Sequence, residues 1–241
     1  MLRAEHISKQ LGGRQILDDV DFAIAPSQIV ALLGPSGCGK TSLLRALSLL
    51  APPDSGRLSV GERNYEFPNG LGTPWQTLYP ELTVVFQQFP LWPHLRIRHN
   101  LLLPLELHGE KNADGRMSEL CDELGLTPLL HLFPMQLSVG QRQRAALVRA
   151  LLPQPKYLLL DEVTSAQDVE HIKRMIGLLK KSALNGTAIV LATHLIRFAR
   201  GLAERFYFID EGRIVESGPA EGLGTPRTER LRDFLFVGDQ L

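Results

Sequence analysis

The chain is poor in cysteine, poor in aromatic side chains and free of any overall charge bias. Two cysteines, Cys38 and Cys121, in 241 residues give no disulfide framework and no paired spacing of the kind a metal site uses. Lys and Arg total 26 and Asp and Glu total 26. No global field therefore draws the chain to nucleic acid or to acidic lipid, which argues against an enzyme that tracks DNA or RNA. Long apolar runs are missing too. The richest stretch, Leu101-Leu-Leu-Pro-Leu-Glu-Leu107, is interrupted by Pro104 and Glu106, and nothing reaches the roughly 18 residues of a membrane-spanning helix. The N-terminal Met1-Leu-Arg-Ala-Glu-His lacks the apolar stretch of a secretory signal. These absences predict a soluble protein whose membrane association, where it has any, comes through a partner. Repeats, low-complexity tracts and long linkers are absent as well, and the length suits one large domain divided into two lobes.

What the chain does have is Gly34-Pro35-Ser36-Gly37-Cys38-Gly39-Lys40-Thr41, a complete G-x-x-x-x-G-K-[ST] pattern. It stands between an apolar run, Ile29–Leu33, and a helical pattern that begins at Ser42. In that context a strand delivers a loop whose backbone N–H groups wrap a phosphate chain, and the helix after it turns its positive end to the same anion. Lys40 supplies a point charge for the terminal phosphates, and the Thr41 hydroxyl is placed to ligate Mg²⁺. A glycine-rich turn before a helix, with no ligand, would not need that lysine and that hydroxyl. Cys38 lies inside the loop, and a thiol there points to a reducing compartment.

Residues 1–33 alternate apolar and polar in short runs and predict a small antiparallel sheet ahead of the first core strand. An irregular segment with short strands follows between Ala51 and Pro80, and Val84–Phe86 resumes a buried strand. Helical spacing dominates from about Arg98 to Leu152, with breaks at Gly109, Gly125, Pro128 and Pro134. After it, strands at Tyr157–Leu160, Ala188–Ala192 and Phe206–Asp210 alternate with helices at Glu170–Ser182 and Ile196–Glu204. Such alternation predicts an α/β fold: a parallel sheet with helices on both faces, ligands at the carboxyl ends of its strands, and the helical block as a second lobe.

Two carboxylates, Asp161 and Glu162, follow the apolar run Tyr157–Leu160 directly. Adjacent acids at a buried strand end repel each other unless cations or protons share the site. Mg²⁺ beside a bound triphosphate answers that need, with Asp161 on the metal and Glu162 polarising an attacking water; an acidic strand end facing solvent is the plainer alternative. Leu137-Ser138-Val-Gly140-Gln141-Arg-Gln-Arg144 opens a helix over Arg142–Leu152. Ser138 suits the N-cap region, and Gly140 lets backbone approach an anion. By itself this segment supports nothing beyond a capped helix.

A phosphate loop, then Val-Phe-Gln87, Leu-Ser-x-Gly-Gln141, Leu-Leu-Leu-Asp161-Glu162 and Thr193-His194, in that order, resembles the ABC ATPases over essentially the whole chain. The resemblance implies a P-loop NTPase fold with a RecA-like parallel core, an antiparallel β subdomain and an α-helical subdomain. It places the core at about 1–87 and 156–241 and the helical part at about 88–155. It further implies that ATP is bound between two copies. Lys40 and Thr41 of one copy hold phosphate and Mg²⁺, with Ser36, Gly37, Cys38, Gly39 and Ser42 around them, and Ser138 and Gly140 of the other copy cap the γ-phosphate. Gln87 reaches the metal and the attacking water, His194 bonds the γ-phosphate and the neighbourhood of Glu162, and Asp168 contacts the second copy. Val85-Phe-Gln-Gln-Phe-Pro-Leu-Trp-Pro-His-Leu95, Phe198-Ala-Arg200, Asp210-Glu-Gly-Arg-Ile-Val-Glu-Ser-Gly218 and Arg232-Asp-Phe-Leu235 are similar to the polar amino-acid importer branch. That branch implies membrane permease subunits as direct partners, a solute-binding protein as an indirect one, and a place on the inner face of the cell membrane. Phe89, Leu91, Trp92 and Leu95 are then either ordinary core or a groove for a short helix of the permease.

Three departures from the family pattern stand out. Leu11 occupies the position of an aromatic residue that stacks on adenine. Val139 replaces a glycine of the signature, which is strained if the position needs φ > 0 and merely bulky if it is ordinary helix entry. Val163-Thr-Ser-Ala-Gln-Asp-Val169 has lost both prolines and the leucine usual in that loop, which bears on communication between the two sites. The leading function is the ATP-hydrolysing subunit of an importer; the alternative is an ATP-binding regulatory module with little or no hydrolysis, or a subunit for another solute.

Overall fold

The computed structural model describes residues 1–68, 78–88, 90–110, 112–163 and 169–238. Asp168, Phe89 and the divergent residues 164–168 lie outside them. Two sheets organise the chain. The larger has 6 strands in the order β10-β9-β3-β8-β7-β6: β3 (Ile29–Leu33), β6 (Leu82–Val85), β7 (Tyr157–Asp161), β8 (Ala188–Thr193), β9 (Arg205–Asp210) and β10 (Arg213–Pro219). All neighbours are parallel except the β9–β10 hairpin. The smaller is antiparallel with 4 strands in the order β2-β1-β4-β5, formed by β1 (Leu2–Leu11), β2 (Arg14–Ile24), β4 (Ser55–Val60) and β5 (Arg63–Phe67). The predicted small sheet therefore recruits two strands from the segment read as irregular. β10 is the strand that the apolar spacing missed: its burial alternates, and only Glu216 and Gly218 are fully covered.

β3 is buried at every position because its two faces meet two different cores. Ile29, Ala31 and Leu33 pack into one apolar cluster with α4 (Val139–Leu151), α5 (Val169–Leu184) and α6 (Ile196–Leu202). Val30 and Leu32 pack into another with the antiparallel sheet and α1 (Lys40–Leu47). A strand covered on both sides reads as a continuous apolar run. The expectation of helices on both faces is met in part, since the antiparallel sheet shares one face with α1. Between β6 and β7 the chain forms α2 (Ile97–Glu106), α3 (Asp114–Glu123) and α4, and α7 (Glu229–Gly238) closes the chain after β10. Ser138 starts α4 three residues earlier than the spacing indicated, at Val139. Among the described residues no helix is long and apolar enough to cross a membrane.

Candidate functional site

Leu33 of β3 pairs with Thr193 of β8, and Asp161 of β7 pairs with Ala192. The loops that leave these three neighbouring strands therefore emerge side by side at one edge of the sheet. They carry the Gly34–Thr41 loop, Glu162 and His194. Val85 of β6 pairs with Leu160, which puts Gln87 at the same edge; its side chain is exposed and makes no hydrogen bond to the loop among the described residues.

The loop is shaped by close approach. A Cβ on Gly34 would stand 2.2 Å from the Ile209 carbonyl oxygen and 2.7 Å from Cys38 Sγ, so only glycine fits. Gly39 is the N-cap of α1 at φ 115°, and no side chain caps the helix. Its first N–H groups are left facing the loop, ready for an anion. Lys40, only 7% exposed, donates from Nζ to the Gly34 carbonyl at 2.7 Å and the Pro35 carbonyl at 2.9 Å. Cys38 is buried beneath the loop, and that burial raises its thiol pKa.

The acids meet the loop directly. Thr41 Oγ1 donates to Asp161 Oδ2 at 2.7 Å. Asp161 is 2% exposed, and its Oδ1 is buried with no hydrogen-bond partner among the described residues. Burial pushes its carboxyl pKa up and the neighbouring Glu162 adds to this, against the Thr41 bond and the Lys40 charge. A buried carboxylate with one idle oxygen, next to a hydroxyl and a second acid, is a donor set that suits a hard divalent cation. Glu162 Oε1 lies 4.0 Å from Lys40 Nζ, and its Oε2 lies 2.8 Å from His194 Nδ1. Glu162 also sits at φ 52°, a left-handed backbone that costs a non-glycine residue roughly 1–3 kcal/mol and is held only when the surroundings fix it. Two bonds do so: the Glu162 N–H donates to the Ala192 carbonyl at 2.9 Å, and Gln143 Nε2 donates to the Glu162 carbonyl at 3.3 Å. Gln143 was missed from the sequence. As the second glutamine of Gly-Gln-Arg-Gln-Arg it carries no sequence signal of its own; only its place one turn into α4, at 1% exposure, shows that it faces inward.

Ser138 is the N-cap of α4 in a reciprocal capping box. The Gln141 N–H donates to Ser138 Oγ at 3.2 Å, and the Ser138 N–H donates to Gln141 Oε1 at 2.9 Å. Val139 takes ordinary helical geometry as the first residue of α4 and is 50% exposed. It is therefore bulky and unstrained. Ser138, Gly140 and Gln141 make no hydrogen bond to the phosphate loop of the same chain among the described residues. Leu11 is 71% exposed at the tip of the β1–β2 hairpin. β2 meets the loop close to the hairpin's tip: a Cβ on Gly39 would stand 3.0 Å from the Ile16 carbonyl oxygen and 3.3 Å from Leu17 Cδ2.

A second feature opens beside α1, an apolar groove with a cavity of about 470 Å³ between the Ser48–Leu50 segment, β6 and α4. The run proposed for such a groove splits. Leu91 packs against the helical core, whereas Trp92 is 37% exposed beneath the Arg149 guanidinium; neither lines the cavity, whose wall comes instead from Leu82–Phe86 and α4.

The comparisons with known proteins agree with this geometry. Residues 17–165 match the family described as ABC transporter. The chain is 36% identical over 239 residues to the arginine transport ATP-binding protein ArtP of Haemophilus influenzae, covering 97% of this chain and 98% of that protein. It is 38% identical over 239 residues to the glutamine transport ATP-binding protein GlnQ of Escherichia coli, covering 98% of each. Among solved structures, the dimeric post-hydrolysis state of the ATP-binding cassette MJ0796 bound to ADP and Pi superposes with a TM-score of 0.82 at 27% identity, covering 91% of this chain and 99% of that one. With the phosphate loop, the two acids and the histidine gathered at one sheet edge, the chain belongs to the ABC transporter family and is one of its ATPases.

Proposed function

We propose that this chain is the ATP-hydrolysing subunit of an importer for a polar amino acid, working as a pair of copies beneath membrane permease subunits. The observation that carries the chemistry is the convergence of Lys40 and His194 on Glu162, beside the Thr41–Asp161 pair. The N–H groups of Gly34–Ser42 hold the phosphate chain, and Lys40 swings from the loop carbonyls to the terminal phosphate oxygens when nucleotide enters. Thr41, Asp161 and Gln87 would hold Mg²⁺, which spreads the phosphate charge. Glu162, with His194 beside it and its backbone fixed by Gln143, orients and deprotonates the attacking water. Leu11 covers the base by apolar contact. Ser138, Gly140 and Gln141 of the second copy close over the γ-phosphate, and Asp168 lies at the contact between copies. The relatives named for arginine and glutamine support the solute class, and the dimeric neighbour supports the pairing. The two-lobe division, core at about 1–87 and 156–241 and helical part at about 88–155, belongs to the same reading, with the apolar groove as the permease's seat. ATP would draw the two copies together and product release would part them, because only differential affinity for the closed state can drive the cycle.

The test is Mg-ATP turnover against a Glu162→Gln control. Loss of a positioned general base costs about 10²–10⁴-fold in rate, while ATP binding by the variant stays intact. Turnover that survives the substitution removes Glu162 from the chemistry, and no turnover even with a permease present supports the regulatory module.

A further inference from the structure

Gln143 joins the start of α4 to the end of β7. It is buried one turn into the helix, and its Nε2 donates to the Glu162 carbonyl at 3.3 Å. The Ser138 cap stands five residues before it, about 7.5 Å back along the helix axis at 1.5 Å per residue. The acceptor belongs to the residue at φ 52°, and a left-handed backbone persists in a non-glycine residue only while its surroundings fix it. The bond from the Glu162 N–H to the Ala192 carbonyl comes from the sheet, whereas the bond from Gln143 comes from a helix. That helix is anchored along its length. The capping box closes its first turn, Arg144 Nη1 donates to the Leu124 carbonyl at 2.8 Å, and the Ala150 carbonyl accepts from the Thr83 hydroxyl at 2.9 Å. Ala145, Leu147 and Val148 are buried in one apolar cluster with Val163, the residue after Glu162. Packing of this kind is nearly incompressible, so a shift of the first turn of α4 is passed on to the second.

Resting on the readings of Glu162 as the base and of Ser138 as a cap over the nucleotide of the second copy, we propose that Gln143 is a positioning residue that links the two sites. It carries the seating of α4 on the partner's ATP to the Glu162 of its own chain. ATP held by one copy thus orients the base that works in the other, and hydrolysis in each site waits on nucleotide in both. An amide suits this place, because it grips the Glu162 carbonyl without adding charge beside Lys40 and two carboxylates.

Two substitutions test the link. Gln143→Met keeps the length of the side chain and removes the donor; Gln143→Asn keeps the amide and shortens its reach by one methylene. Turnover of the full chain is measured against ATP concentration, affinity with a fluorescent non-hydrolysable ATP analogue, and pairing in that analogue by sedimentation velocity. Circular dichroism checks each fold, and Gln143→Asn keeps the test open if Gln143→Met does not fold. A misplaced base is expected to lower kcat at least about tenfold while affinity and pairing stay within about twofold. The wild-type Hill coefficient for ATP should exceed one and fall to about one in the variants. Wild-type kcat in a folded variant, kcat that falls in step with affinity or pairing, or a Hill coefficient that the substitutions leave unchanged overturns the proposal. The Glu162→Gln control tells the two readings apart. Turnover abolished by Glu162→Gln but unchanged in the Gln143 variants removes the link alone; turnover that survives Glu162→Gln removes the base, and the link with it.

Discussion

Leu11 stands at the end of a strand with most of its surface in water, where the family pattern has an aromatic ring. A leucine covers a base by apolar contact but gives no stacking, and base–aromatic stacking is worth about 1–3 kcal/mol in single-strand binders. Leu11→Tyr is therefore expected to tighten ATP binding about tenfold and to sharpen discrimination between bases. Titration with a fluorescent ATP analogue checks this, and unchanged affinity would remove Leu11 from the base site. At Glu162 the residue scale shows something the spacing of motifs does not. Its backbone is held in a strained conformation by Ala192 and by Gln143, so the orientation of the acid is set by two other elements. The acid itself was legible as the second carboxylate after an apolar run. The glutamine that holds it was not, because a polar residue one turn into a helix looks the same whether it faces inward or outward.

Two elements carry tests of their own. At the start of α4, Ser138 caps the helix whatever else it does, so Ser138→Ala should cost about 1 kcal/mol and lower Tm by about 2–4 °C. Ser138→Asp keeps an acceptor for the Gln141 N–H and adds a negative charge. If Ser138 faces phosphate across a pair of copies, the Asp variant should melt near wild type yet lose most turnover; full turnover in that variant would reduce Ser138 to a cap. At the other end of the chain, the buried Glu216 of β10 accepts from the Arg227 N–H at 3.1 Å, the Thr228 N–H at 2.8 Å and the Thr228 hydroxyl at 2.7 Å. It ties β10 to the approach of α7. Burial works to raise its carboxyl pKa, but these bonds to Thr228 and Arg227 outweigh it and the net direction is down. A depressed carboxylate contributes stability that is fully present above the usual value of about 4.3 and is lost as pH falls through the folded value. Glu216→Gln should thus be less stable than wild type at neutral pH, by about 1–3 kcal/mol, and the gap should close in acid. Urea unfolding at several pH values measures it, and a gap that does not change with pH would show that the charge of Glu216 does not matter.

For the molecule as a whole, the residues gathered at the sheet edge lie in one chain, while Ser138 and Gln141 bond to each other and, among the described residues, not to that loop. A site completed by a second copy makes activity depend on assembly. Turnover per subunit should therefore rise with protein concentration before levelling off, and a rate per subunit that is constant over a wide dilution series would argue for a self-sufficient single chain. The apolar groove also belongs to this scale, since its walls come from segments on either side of β6 and from α4.

The sequence by itself determined the phosphate loop, the order of the motifs and the core strands. Each is a local matter: a glycine-rich loop that ends in a lysine and a hydroxyl, and apolar runs whose burial on both faces is written into their composition. Tertiary structure alone decided what meets what. The pairing of β3 with β8, and of β8 with β7, lines up Leu33, Thr193 and Asp161 across the sheet, so that residues more than a hundred positions apart share one edge. The same packing put the antiparallel sheet where helices were expected. These outcomes depend on register and on long-range contact, and a sequence read one window at a time holds neither.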